Sequence, residues 1–339
     1  MAKNQSKKSR ERNIMRIKPL DETIERSSMI EVWKQMWSYL TPEGPILSEE
    51  AFDAIVVRDD QTVLSRDFLI AEDSQGSIIG FIGLQKSSTR DFWRITYAVL
   101  PEYIKSRLPG RLMDAIVNLA KKQGSSKLRS YSRMDFTSLN RKLEELGIKP
   151  VQYGWWMRLD DFGALPQSVV PPGITLRKEK DINDFIEYVA VYNEAHKEAF
   201  EFEPYTAEKL KQIFDQTRKI SDIEHLFAFE GNKLVGICYI TINPEKKVMG
   251  TINALGVLLS YRFRGIGSAL LASGIRSLHE KECKMIELSV MANNEQALAL
   301  YKKFGFYELP LRTQYIYEVH PSEYSEKLLG VERYNKTAR

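Results

Sequence analysis

The segment Arg262-Phe263-Arg264-Gly265-Ile266-Gly267-Ser268 has the residue types of a phosphate cradle. Glycines at 265 and 267 remove side chains where the backbone turns, so free N–H groups can converge on one cavity. A helix should start at once, from Ser268 to about Lys281, because Ala269, Leu270, Gly274, Ile275 and Leu278 recur at helical spacing. Its first turn adds unpaired N–H groups and the positive end of the helix dipole, and Arg262 or Arg264 can add charge. Further on, Asn294, Ala297, Tyr301 and Phe304 fall on one face of a second expected helix, Glu295 to Phe304. Asn293 can cap it, with Gln296 as the reciprocal partner.

Two other phosphate loops compete with this reading. Gly265-x-Gly267 follows a strand, and Glu287 lies twenty residues after Gly267, as in a dinucleotide fingerprint. Leu270, however, stands where the third small residue belongs, and the loop follows hairpins instead of opening a strand-helix-strand domain. A Walker loop is excluded, since Gly-x4-Gly-Lys-Ser/Thr does not occur.

The elements that must hold these residues come twice. Phe68–Ile82 and Leu226–Cys238 both read as hairpins, with Gly80 and Gly236 separated by 156 positions. Val99 and Val257 each precede a loop and a helix, and Leu143–Ile148 parallels Tyr301–Phe306; both separations are 158. Three features at spacings of 156 to 158 imply tandem copies of one α/β domain, over 15–162 and 173–320. A Pro-containing linker, 163–172, joins them. Residues 1–14 read as a disordered basic tail and 321–339 as a C-terminal tail. The second copy should run from a strand near Ile174–Arg177 through helices over Ile182–Ala199 and Ala207–Arg218. A hairpin, a strand at Gly250–Val257, the two helices above, and strands at Met285–Val290 and Gln314–Val319 complete it. Strands in hairpins and in a strand-helix-strand unit predict a mixed, mostly antiparallel sheet.

Composition narrows the function classes. Hydrophobic residues are 43% and charged residues 28% of the chain, the mix of a globular protein. No apolar run approaches the roughly 20 residues of a membrane span. A net charge of +4 is small for this length and gives no nucleic-acid footprint. Cys238 and Cys283 suit a reducing cytoplasm, and His196, His225, His279 and His320 are too scattered for a metal site.

Arg262-x-x-Gly265-x-Gly267 resembles the Arg/Gln-x-x-Gly-x-Gly/Ala motif of the GCN5-related N-acetyltransferase superfamily, and Asn294-x-x-Ala297-x-x-Leu300-Tyr301-x-x-x-Gly305-Phe306 resembles its second motif. The resemblance covers the second copy well and the first weakly. It implies acetyl-CoA as acyl donor and no metal. It also implies that residues 262–268 bind the diphosphate, and that Leu255, Gly256 and Val257 offer backbone groups to the pantetheine arm. Asn294 would hydrogen-bond the same arm, and Tyr301 would be the general acid for the departing thiolate. A small-molecule or peptide amine would attack directly. The base is open between Glu287 and the acidic run Glu194, Glu198, Glu201 and Glu203. The alternative is a non-catalytic acyl-CoA sensor or scaffold.

The first copy departs from these motifs. Aligned on its arginine, Arg107-Leu-Pro-Gly110-Arg-Leu112 puts Leu112 at the second glycine, and the loop counts as three residues longer than its counterpart. Phe136, Leu139 and Leu143 occupy the Asn, Ala and Tyr places of the second motif. This copy is expected to be catalytically silent. Trp155 and Trp156 are expected to pack in its last strand.

Overall fold

A computed structural model describes residues 14–42, 47–57, 62–87, 91–163, 165–182, 184–200, 202–242 and 248–327; the expected N-terminal tail lies outside them except for Ile14. In chain order the first repeat runs β1 (Ile14–Pro19), α1 (Glu22–Leu40), β2 (Phe68–Asp73), β3 (Ile78–Lys86), β4 (Trp93–Val99), α2 (Leu108–Lys122), β5 (Leu128–Arg133), α3 (Thr137–Glu145) and β6 (Pro150–Leu159). The second runs β7 (Ile174–Glu179), α4 (Phe185–His196), α5 (Ala207–Arg218), β8 (Asp222–Glu230), β9 (Lys233–Ile242), β10 (Met249–Val257), α6 (Ile266–Glu280), β11 (Met285–Met291), α7 (Glu295–Lys303), β12 (Tyr307–Glu308) and β13 (Gln314–Val319). Side chains at the helix starts set where they begin. Asp184 accepts from the N–H of Ile186 and Glu187, and Thr206 from that of Lys209.

The chain forms two units whose membership does not follow the repeat boundary. One gathers the chain up to Pro42, Phe52–Tyr153 and the chain from Leu311 onward. The other gathers Gly154–Pro310 with a short segment ending at Ala51. The first unit's strands follow the order β1-β2-β3-β4-β5-β13, and the second's β7-β8-β9-β10-β11-β6, with β12 also on β6. The last strand of each repeat is therefore exchanged. In β6, Gly154–Leu159 lies antiparallel to β11, and β13 lies antiparallel to β5. Trp155 and Trp156 pair opposite Val290 and Ser289, so they serve the second unit's sheet. The expected boundary after residue 162 thus falls inside the second unit. Of the expected C-terminal tail, residues 321–327 are helical. There Tyr324 is buried, its hydroxyl donating to Asp114 at 2.7 Å.

Among the described pairings only β4–β5 and β10–β11 are parallel. In the second unit β9 is buried along nearly its whole length. On one face lie Ile266, Leu270, Leu271, Ile275 and Leu278 of α6; on the other lie Tyr188 of α4 and Phe214 of α5.

The α4–α5 side encloses an unusual group. His225 on β8 is fully buried and neither ring nitrogen has a hydrogen-bond partner. Phe214, Tyr188, Phe227 and Tyr239 surround it, with ring centroids at 4.9, 5.7, 6.0 and 6.0 Å. Burial disfavours the imidazolium and pushes its pKa down to about 4. Between pH 6.5 and 4 the unfolded chain therefore binds a proton that the folded chain does not. Stability is intact above pH 6.5 and falls as the pH drops, by about 1.4 kcal/mol per unit at most. Replacing His225 with Phe should flatten this part of a plot of melting temperature against pH, which calorimetry between pH 4 and 7.5 measures directly.

Candidate active site

β10 ends at Val257, opposite Gly236 of β9. One 3-10 turn, Leu259–Tyr261, follows, and then the chain reverses into α6. The reversal needs left-handed backbone at Phe263 (φ 63°) and Gly265 (φ 86°). Gly265 adopts it without a Cβ penalty, whereas Phe263, 86% exposed, is strained by roughly 1 kcal/mol. Within the described residues, the N–H groups of 263–268 have no acceptor; the first bond into the helix is Ala269 N–H to Gly265 O, at 3.0 Å. Gly267 stands where three elements converge. A Cβ built on it would lie 3.8 Å from both Val257 of β10 and Leu300 of α7, in ordinary contact.

The arginines brace this loop. Arg262 donates to Ala195 O at 2.8 Å and pairs with Glu198 at 2.9 Å, joining the loop to the C-terminal end of α4. Arg264 lies over the Tyr261 ring at 4.8 Å and donates to Ser260 O, while the Tyr261 hydroxyl donates to Glu230 at 2.7 Å. Both guanidiniums thus have protein partners, and the main-chain amides are the groups left without one.

The strand before the loop is open on one side. Parallel pairing between β10 and β11 covers Met249–Thr251 against Met285–Glu287 and then stops, although both strands continue. A register shift sits between Ile252 and Ala254 on the β9 side. Leu255, Gly256 and Val257 are therefore bonded to β9 alone. Gly256 is required for close packing, because a Cβ there would come 2.8 Å from Ala195 Cβ and from His196 Cε1.

Helix α7 closes the site. Asn294, not Asn293, is its cap: its side chain accepts from the Ala297 N–H at 3.1 Å. It captures that amide because it is the last residue before the helical turn. Tyr301 is 8% exposed, packs against Phe306 at 6.0 Å, and its hydroxyl has no hydrogen-bond partner in the described residues. Burial raises its pKa well above that of an ordinary phenol, so it keeps its proton at neutral pH.

The carboxylates offered by the sequence are spent elsewhere. Glu287 is 1% exposed and held by Arg158 of β6 at 2.6 Å, a buried pair that joins strands. Glu198 pairs with Arg262 and Glu194 with Lys197; Glu203 is half-buried, and Glu201 lies outside the described residues. The residue at the site that sequence reading missed is His196, the last residue of α4. Its signal was the spacing of Tyr188, Tyr192 and His196, which puts three rings on one helix face.

The first repeat shows how the same frame is built without a cradle. Its 3-10 turn (Pro101–Tyr103), α2 and α3 each start 158 positions before their counterparts. The loops are thus equal in length, and Arg107, not Gly110, stands at the place of Gly265. Pro109 takes the place of Gly267, and Leu112 is the core counterpart of Leu270. Aligning on arginine instead of on the helix start produced the expected three-residue difference. Pro109 has no N–H, and the Leu108 N–H donates to Ser106 Oγ at 3.1 Å. Phe136, at the place of Asn294, meets the Tyr97 ring edge-on at 5.2 Å.

Among the described residues no helix is long and apolar enough to cross a membrane, and no His, Cys, Asp and Glu group could hold a metal. The profile of the Acetyltransferase (GNAT) family matches residues 188–306. A mycothiol acetyltransferase of Paenarthrobacter aurescens is 29% identical over 221 residues, covering 62% of this chain and 65% of that protein, just under two thirds of its length. One of Segniliparus rotundus is 26% identical over 249 residues, covering 70% and 90%. A tandem GNAT protein from the clavulanic acid biosynthesis pathway shares the fold at TM-score 0.67 and 16% identity, over 90% of this chain and 98% of that one. A GCN5-related N-acetyltransferase from Sphaerobacter thermophilus does so at 0.65 and 20%, over 90% and 95%. With its loop, open strand and capped helix in this arrangement, the second unit is similar, over residues 188–306, to acetyltransferases of the GNAT family.

Proposed function

We propose that this protein moves an acetyl group from acetyl-CoA to a primary amine, and that the reaction takes place in the second unit. The observation that carries the reading is the row of N–H groups at 263–268, without acceptors, at a left-handed glycine ahead of a helix. Such amides, with the positive end of the α6 dipole, suit the diphosphate of coenzyme A. Gly267 keeps the approach open, since any side chain there enters the space between Val257 and Leu300. The free edge of Leu255–Val257 can bond the amides of the pantetheine arm as a strand would. Asn294, already a cap, has its amide nitrogen left to donate.

When bound, the coenzyme supplies an activated acyl carbonyl. The chain's part is to orient that thioester along β10 and to hold a proton at Tyr301 Oη for the departing sulfur. A hydroxyl that is buried, protonated and without a protein partner supports an enzyme over a sensor, which would gain nothing from it. The first unit, with Pro109 and Phe136 where the second has Gly267 and Asn294, we read as a non-catalytic partner. The acceptor is a small-molecule amine, in line with relatives named for mycothiol. A panel of primary amines, including amino sugars and cysteinyl amines, incubated with acetyl-CoA tests this. Thiol release dependent on one amine is the expected result; no amine-dependent release with any of them counts against the reading.

A further inference from the structure

We propose that His196 is the general base of this acetyl transfer: its Nε2 takes the proton that the acceptor nitrogen sheds as the C–N bond forms. The proposal rests on the reading of the second unit as the acetyl-CoA site. Three observations carry it. The first is tautomer. His196 Nδ1 lies 2.8 Å from the carbonyl oxygen of Tyr192, which can only accept, so Nδ1 bears the hydrogen and Nε2 keeps its lone pair. Nε2 itself has no partner in the described residues.

The second is place. The ring edge carrying Cε1, between the two nitrogens, sits 2.8 Å from where a Gly256 Cβ would be, beside the stretch of β10 that has no partner on the β11 side. The Tyr192 ring lies tilted against it at 4.4 Å and Phe202 lies at 6.3 Å, so the imidazole is held in one orientation. Tyr205 closes on Tyr192 at 5.5 Å, and its backbone is tied to α4 through Asn193. The third is elimination: Glu287, Glu198 and Glu194 are each held in an ion pair.

Burial, and then the charge of Arg262, lower the His196 pKa below its ordinary value, although the bond to Tyr192 O opposes this. The imidazole is therefore neutral at pH 7. The titratable and charged groups around it are Arg262 with its partner Glu198, and Tyr192 and Tyr205; burial pushes Tyr192 up to about 12. In the reaction the ammonium form of the acceptor first loses a proton to solvent. The neutral amine attacks the acyl carbon, the C–N bond forms, and the nitrogen's excess proton passes to His196 Nε2. The C–S bond then breaks, its electron pair goes to sulfur, and Tyr301 Oη protonates the thiolate. Solvent returns a proton to Tyr301 and takes one from His196, so the net products are amide, thiol and one proton.

The test compares the full-length protein with His196→Gln, which keeps a planar polar side chain but accepts no proton. Coenzyme A affinity by calorimetry should stay within about twofold, and kcat with the best panel amine should fall about 100-fold. Expressed per neutral amine, the parent's kcat/KM should fall on the acid side with a limb below the ordinary histidine pKa, and the variant should lack that limb. Independently of turnover, nitrogen-15 NMR of the free parent should show the neutral His196 ring protonated at Nδ1. A kcat within threefold of the parent, or a proton on Nε2, overturns the proposal. Failure of the underlying coenzyme reading looks different: the parent itself would give no heat with coenzyme A, and this proposal would fall with it.

Discussion

Gly267→Leu is expected to leave the melting temperature near that of the parent while weakening coenzyme A binding at least 100-fold. The two halves of this outcome have separate causes. Gly267 is the second residue of α6 and has ordinary helical backbone, so a side chain there meets no conformational penalty and gains helix propensity. Its first carbon would rest at 3.8 Å on Val257 and Leu300, both apolar. The rest of the leucine would then occupy the space in front of the 263–268 amides. A hundredfold loss is about 2.7 kcal/mol, the size of a few charge-assisted hydrogen bonds. Calorimetric titration with coenzyme A, beside a thermal melt of the same sample, reads both numbers. Retained affinity with an intact melt would count against the cradle.

Tyr301→Phe should reduce kcat about 100-fold and leave coenzyme A affinity within twofold. The ring packs beside Phe306 in the core below the site, and phenylalanine fills the same volume. The hydroxyl makes no hydrogen bond to the described chain, so removing it leaves no buried group orphaned and should hardly move the melting temperature. What disappears is the proposed proton donor. A coenzyme thiolate, with a pKa near 8.5 when free, leaves slowly from an apolar site unless it is protonated as it departs. Steady-state kinetics with the acceptor at saturation check this, and an unchanged kcat would remove Tyr301 from the reaction.

How much of this was legible depended on whether the signal was local. The Gly265-x-Gly267 loop and the apolar stripe of α6 lie within twenty residues, and a Cβ on Gly267 would touch Val257 at the strand end and Leu300 of α7. The α5 and β13 bounds were legible to the residue, since turn residues and alternation fix them. The alignment of the two loops was not. An arginine is a side-chain feature that can drift, while a helix start is fixed by the frame, and only the structure shows Arg107 at the place of Gly265. The proposed base was hidden for a similar reason. His196 lies 60 residues before Gly256, and its proximity arises because Gly256 lets α4 approach that strand. Capping was misjudged by one position, Asn294 for Asn293, because adjacent asparagines carry equal propensity and only the turn geometry chooses.

The exchanged last strands also set the order in which a ribosome can finish the protein. Arg133 of β5 has to wait for Gln314, its partner in β13, about 180 residues later. At roughly 5–20 residues per second that is about 10–40 s with one strand edge uncovered. The Gly154–Leu159 stretch of β6 waits only for β11, which is made before β13. The C-terminal unit can therefore complete its β6–β11 pairing while the N-terminal one still lacks a strand, the reverse of the usual vectorial order. A nascent chain of this design presents an open β5 edge throughout most of its translation, which is the kind of surface that trigger-type chaperones shield.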